Sequence, residues 1–223
     1  VQTTQEEITT KIPENAIGID LGISTFATLS TGEKIENPRY LKQSLKRLKV
    51  LQRRASRKKK GSNNRKKANL RVALLYEKIT NQRNDMLHKV STRLIRDNQT
   101  DTICVETLAV KNMVRNHKLA QAISDVSWGE FVRQLEYKGK WYGKNIIKID
   151  RWFASSKTCS NCNHVLDELD LSIREWTCSK CKTTNNRDVN AAINIRNSGM
   201  GSPGEPVESR IKVRAKKQEK YLV

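Results

Sequence analysis

Short apolar runs, each broken by a single acid, alternate along this chain with long segments whose leucines recur at helical spacing. Ala16-Ile-Gly-Ile-Asp20-Leu-Gly22 reads as a short buried strand ending in an acid and a glycine. Thr25-Phe-Ala-Thr-Leu-Ser30 alternates as a second strand, and Thr31-Gly32-Glu33 supplies the turn into a third around Lys34 to Glu36. Leu41, Leu45, Leu48 and Leu51 then follow a helical period, as do Leu87, Val90 and Leu94 beyond a Gly61-Ser-Asn-Asn64 loop. A long helical hairpin is therefore expected over about 39–98, inserted after the third strand. Thr102-Ile-Cys-Val-Glu106-Thr-Leu108 has the length and β-branched content of a central strand, with Glu106 at its carboxyl end and Cys104 packing as a small hydrophobe. Ser127-Trp-Gly-Glu130 has capping-box spacing ahead of a helix whose Trp128, Phe131, Val132 and Leu135 share one face, which assigns Glu130 to capping. Asn145-Ile-Ile-Lys-Ile149-Asp150 is a fifth strand, and a last helix begins near Asp188. The pattern predicts an α/β protein with a mixed sheet.

Charge adds a partner to this picture. The 223 residues carry 43 Lys and Arg against 23 Asp and Glu, a formal charge of +20 that implies a polyanion. Fifteen of those cations lie between Arg39 and Arg71, a stretch without one acid. Arg53, Arg54, Arg57, Lys58, Lys59, Lys60, Arg65, Lys66 and Lys67 crowd its middle. Such a run is often only a solvated face, but one so one-sided repels itself unless phosphates neutralise it, so these nine are the candidate nucleic-acid contacts. No apolar run is long enough for a bilayer and no signal-peptide pattern opens the chain, so no membrane partner and a cytoplasmic location are expected. Val1 is not a methionine, and a piece of a longer protein is expected. From 198 to 223 Gly, Pro and charge mix without period, as in a disordered basic tail.

Two sets of residues carry candidate chemistry. Cys159 and Cys162, then Cys178 and Cys181 after fifteen intervening residues, have zinc-ribbon spacing, since each CxxC turn presents two sulfurs to one tetrahedral ion. Two disulfides are the alternative, disfavoured in a lysine-rich chain without secretory features. His164 follows closely, but four thiolates already fill the shell, and His88 and His117 sit in basic helical or loop contexts. The second set is acidic. Asp20 interrupts a buried run with a charge that burial penalises unless something pairs with it, although it could simply end the strand in a turn. If the fourth strand lies beside the first, Asp20 and Glu106 are neighbours and the last helix can bring Asp188 to them. Three convergent carboxylates call for hard cations, Mg2+ or Mn2+, and a pair of such ions suits in-line hydrolysis of a phosphodiester. Asp150, also ending a strand, is a reserve candidate whose commoner role is to satisfy a loop backbone.

The element order resembles the ribonuclease H-like plan, and the residues are more specific still. Gly18-Ile-Asp20-Leu-Gly22, Ser56-Arg-Lys with Gly61-Ser62, Asn81-Gln-Arg83 with Leu87-His-Lys89, Val105-Glu106, Ser155-Ser-Lys-Thr-Cys159-Ser-Asn-Cys162, Trp176-Thr-Cys178 and Arg187-Asp188-Val-Asn190-Ala-Ala match the TnpB (OrfB) family in order. That family comprises transposon-encoded proteins with a RuvC-like nuclease domain, related to type V CRISPR effectors and often described as transposases. The resemblance implies a RuvC-like core over 16–158 with its helical insertion, a zinc ribbon over 159–181 and a final catalytic helix over 182–197. It implies a prokaryotic RNA-guided DNA endonuclease acting with a guide RNA on a DNA target, with Asp20, Glu106 and Asp188 as catalytic acids. The family's usual Asp-Arg-Asp is Asn186-Arg187-Asp188 here, and the match begins almost at the first catalytic strand. A nucleic-acid-binding module that does not cut is the other reading. A ribosomal-type zinc-ribbon factor explains the charge and cysteines but not the spaced acids.

Overall fold

In the computed structural model, which describes residues 15–96, 99–170 and 172–201, the first apolar run becomes a central strand. The strands β1 (Ala16–Leu21), β2 (Thr25–Leu29), β3 (Lys34–Glu36), β4 (Thr102–Glu106) and β5 (Asn145–Ile149) form one sheet of order β3-β2-β1-β4-β5. β1 pairs antiparallel with β2 and parallel with β4, and β4 pairs parallel with β5. The mixture follows from the connections: a tight turn returns β2 against β1, whereas long excursions bring β4 and β5 back in the same direction. Ile17, Ile19, Ile103 and Val105 are buried, as near-continuous apolar runs at a sheet centre require.

α6 (Arg187–Met200) packs on β1 and β4, and two glycines set how closely. A Cβ at Gly18 would overlap the Ala192 carbonyl oxygen and lie 2.7 Å from the Arg196 nitrogen, and one at Gly199 would overlap the Cys104 sulfur. Cys104 is buried with Ile149 and Ile195 in this layer, as its sequence setting predicts. The helix expected to stop at 197 runs on to Met200, because Gly199 serves as a contact surface rather than a stop. Residues 182–186, assigned above to the helix, instead include a strand, β7 (Thr184–Asn186), paired with β6 (Glu175–Thr177). Residues 198–200, expected to begin a disordered tail, belong to α6, and the remainder of the tail expected to 223 lies, beyond 201, outside the described residues.

The sheet, this helix and the cysteine segment make one compact unit, and a second is drawn from 36–97 and 108–138. In the second unit α1 (Tyr40–Ser56) and α2 (Asn63–Arg96) pack through Leu48, Leu75 and Ile79. Short helices α3 (Val110–Met113) and α4 (Ala120–Val126) follow, and α5 (Trp128–Trp141) carries buried Trp128, Phe131 and Leu135. Asp125 accepts from the Leu41 backbone N–H and from Arg83 at 3.0 Å, tying α4 to both long helices. The expected capping box does not form. Ser127 adopts a left-handed conformation (φ 57°) and its hydroxyl donates to the Ser124 carbonyl. Glu130 is drawn instead to Arg133, two contacts of 2.7 Å that hold its carboxyl at about 2. Lys138, buried on the same helix, donates to the His88 carbonyl and to the hydroxyls of Ser91 and Thr92, which replace its lost hydration.

Candidate functional site

The parallel register of β1 and β4 brings the first two acids together. Ile19 pairs with Val105, so Asp20 and Glu106 stand one residue further along adjacent strands, at the carboxyl end of both. Glu106 also pairs with Ile149 on β5. Side chains two apart share a face, which puts Asp20 and Glu106 on the face of Gly18 and Cys104, under α6. Asp188 sits in the first turn of that helix. The residue before the helix, Asn186, caps it by accepting from the Val189 N–H at 3.3 Å. Asn and Asp cap about equally well, so Asn186 fills the capping role that an Asp at this position would fill.

Electrostatics show how crowded these groups are. Asp20 keeps some accessible surface, but protein atoms enclose its carboxylate on most sides. Loss of hydration, then repulsion from Glu106 and Asp188, raises it to about 8 despite the opposing Arg187 charge. Glu106 is raised to about 7 by burial, partly offset by the Leu21 backbone N–H that donates to it. Asp188 is paired loosely with the half-exposed Arg174 at 3.4 Å. Near neutral pH two acids are thus poised between neutral and charged, a state that a cation would resolve in favour of charge. The three are near enough to repel without closing into a tight shell. Among the described residues, the one set of three or more Cys, His or acidic side chains with ligand atoms all within 4.8 Å of one another is the cysteine set.

That set is Cys159, Cys162, Cys178 and Cys181, and its geometry is built by two equivalent turns. In the first, Asn163 N–H returns to the Cys159 carbonyl; in the second, Lys182 N–H returns to that of Cys178. Both closing residues are left-handed, with φ of 59° and 62°. Cys159 and Cys181 sulfurs are 3.6 Å apart, as are those of Cys162 and Cys178. Zn–S bonds of 2.3 Å in a tetrahedron require edges of about 3.8 Å, so the cage fits zinc, and the separations are far beyond a disulfide bond. Trp176, Leu166 and Leu169 pack around the sulfurs, and the Asn185 amide points at Cys159 Sγ from 3.8 Å. His164 donates to or accepts from Ser179 at 3.0 Å and stands outside the sulfur cage. The paired strands carry this module past Cys181 to Asn186, beyond the limit that the cysteines alone mark.

One connection was not foreseen from the sequence. Asn190 and Asn194, one helical turn apart and buried, reach from α6 to the chain just before the ribbon. Asn194 donates to the carbonyls of Ser155 (2.8 Å) and Thr158 (2.6 Å). Asn190 donates to Thr158 (2.7 Å) and accepts from the Ser160 N–H (2.9 Å). The signal was an amide pair at i and i+4 on an apolar helical face. Asn194→Ala is expected to destabilise the fold by about 0.5–1.5 kcal/mol, because the Thr158 carbonyl loses one of two donors and the Ser155 carbonyl keeps only a long one, from Asn190 at 3.4 Å. A denaturant midpoint unchanged from the parent would show that these bonds contribute nothing net.

The nine basic candidates lie on the end of α1, the connecting loop and the start of α2, all exposed except Arg65, which is partly covered and donates to the Lys58 carbonyl. Asp150 accepts from the Trp152 N–H at 2.8 Å, so it orders a turn, the commoner role expected of it. No helix among the described residues is long and apolar enough to cross a membrane.

Comparison with known proteins places this arrangement in a family. A family model described as probable transposase, OrfB of IS605, matches residues 1–117, and one described as the Cas12f1-like TNB domain matches 128–195. The chain belongs to the OrfB, or TnpB, family. It is 52% identical over 187 residues to a Streptomyces pristinaespiralis protein named "Putative RNA-guided DNA endonuclease", covering 84% of this chain and 46% of that one. InsQ of Escherichia coli, under the same description, is 34% identical, over 92% of this chain and 55% of its own length. The chain thus spans about half the length of the curated relatives it matches. Among solved structures, a CRISPR-Cas12f ternary complex superposes with a TM-score of 0.63 at 22% identity, over 88% of this chain and 41% of that chain. A second, a complex of Cas12f1 with single-guide RNA and target DNA, gives 0.58 at 23% identity, over 83% and 50%. At these identities the likeness is one of fold.

Proposed function

We propose that this chain is the catalytic part of an RNA-guided, transposon-associated DNA endonuclease with a RuvC-like core, and that Asp20, Glu106 and Asp188 are its metal-binding acids. The observation that carries the reading is the meeting of Asp20 and Glu106 at adjacent strand ends within the field of Asp188, two of them raised toward neutrality. Buried like charges of this kind are seldom built for stability. The names of its relatives support DNA as substrate and RNA as guide.

Carboxylate oxygens suit Mg2+ or Mn2+, as the sulfur cage suits zinc. Held at the acids, such ions would polarise the scissile phosphodiester and make water a competent nucleophile. Asp20 and Glu106, fixed by the sheet, would set the position of the phosphate, and Asp188 would close the site from the helix. Arg174 would have to release Asp188 as the cation arrives. The zinc module would brace the start of α6 through Asn186 and the two buried amides, and the basic residues about 53–67 would hold nucleic-acid backbone. A cytoplasmic, prokaryotic setting accords with these partners.

The proposal fixes a pH dependence. Raised carboxyls bind protons more tightly in the folded state, so metal-free stability is greatest below about pH 4 for these groups and declines as pH rises through about 7 and 8. Mg2+ binds the ionised form, so the rise in thermal midpoint it produces should grow from pH 6 to pH 8.5. A Mg2+ effect that is flat across that range would separate the acids from metal binding. The activity itself is tested by incubating the purified chain with labelled single-stranded and duplex DNA in Mg2+, with copurifying RNA analysed. Cutting is expected, and its loss on RNase treatment would establish guiding. Tight, salt-sensitive binding without cutting would instead make the chain a binding module.

A further inference from the structure

Trp152 is the most exposed large apolar side chain among the described residues, at 79%, and Trp141 follows at 74%. Both are out of place energetically, but their positions differ. Trp141 closes α5 ahead of β5, at the amino end of that strand, away from the acids. Trp152 lies three residues past Ile149, the register partner of Glu106, and therefore at the carboxyl edge where the acids meet.

The chain around Trp152 is built to hold it out. Asp150 accepts from the Trp152 N–H and its carbonyl from the Phe153 N–H at 3.2 Å, closing a turn directly after the strand. Further on, the carbonyls of Ser155 and Thr158 are gripped by the buried amides of α6. The segment is thus anchored on both sides of the exposed ring. Arg151 lies with its guanidinium carbon 4.6 Å from the Trp152 ring centroid, and Phe153 is also exposed, at 37%. An aromatic face beside a cation, on a fixed turn, is what a nucleobase and its phosphate would recognise.

We infer that Trp152, with Arg151 beside it, is a stacking platform for an unpaired base of single-stranded DNA lying at the acidic site. The inference rests on the nuclease reading for the identity of the strand, but not on cleavage. A base within a duplex is already stacked on its neighbours and has no free face to offer, so the platform selects a strand that is locally single. Stacking also needs the ring rather than charge, which separates it from the phosphate contacts of the basic helices.

The test is binding of a labelled oligothymidylate to the purified chain without divalent metal, measured across a salt series. Trp152→Ala should weaken single-strand binding about tenfold, since one base stack is worth roughly that factor. Trp152→Phe should recover most of it. The plot of affinity against salt should be displaced in parallel, because no phosphate contact is removed. Duplex binding, and the effect of Trp141→Ala, should stay within about twofold of the parent, a change too small to represent a lost stack. Thermal midpoints should be unaltered, as the ring is not part of the core. Unchanged single-strand affinity, an equal loss with Trp141→Ala, a shallower salt slope, or a larger loss for RNA of the same sequence would each overturn the inference. Failure of the parent to bind single-stranded DNA would do the same. A chain that stacks the strand but never cuts it would retain this platform while refuting the nuclease reading.

Discussion

Asp20→Asn is expected to abolish DNA cleavage, a loss of at least about a thousandfold, while making the metal-free chain more stable above about pH 8. The two effects have one cause. Asp20 is raised to about 8 because burial and the neighbouring acids Glu106 and Asp188 oppose its charge. An amide has the shape of the protonated acid and never ionises, so the destabilisation that accompanies deprotonation disappears. The same change removes the charge that would draw a divalent cation to the site. Binding of nucleic acid should persist or strengthen, since the net positive charge rises by one. Cleavage assays and thermal melts at pH 6 and 8.5 check both halves. Asp20→Asn cutting at the parent rate would exclude Asp20 from the chemistry, and lost stability at high pH would mean that its charge is favourably paired.

The second large effect is at the sulfur cage. Cys178→Ser is expected to release bound zinc and unfold the 158–186 module, because thiolate ligation supplies much of the stability of so small a unit. Among the described residues Trp176, Leu166 and Leu169 pack about the sulfurs, too little apolar surface to hold the strands without the ion. The damage should travel. Thr158 and Ser160 bond directly to Asn190 and Asn194 of α6, and Asn186 ends the module and begins that helix. Loss of the cage should therefore loosen Asp188 and reduce cleavage as well as zinc content. Atomic absorption and hydrogen exchange over α6 measure the two. Full zinc content in the variant would remove Cys178 from the cage, and unchanged protection of α6 would uncouple the module from the acids.

Much of this site is legible in the sequence because its parts are local. Asp20 and Glu106 each interrupt an apolar strand, and the CxxC turns carry their own spacing. The neighbouring placement of β1 and β4 enters the sequence reading only as a condition, and the structure shows the two strands paired in parallel. What local reading lost depends on backbone geometry and partners that spacing alone does not show. Ser127 and Glu130 have capping-box spacing, but a left-handed Ser127 and the nearby Arg133 redirect both side chains. The extension of α6 to Met200 depends on Gly199, which lies against Cys104 where a Cβ would not fit. The roles of Asn190 and Asn194 are not read from the sequence because nothing near them in the chain reveals the carbonyls they reach.

The measurement closest to the central claim is anomalous scattering at the manganese edge from crystals of this chain grown with Mn2+ at pH 8 or above. The account predicts manganese between Asp20 and Glu106, with Asp188 turned from Arg174 toward it. Manganese absent from these carboxylates at saturating concentration, with Asp188 still paired to Arg174, would contradict it.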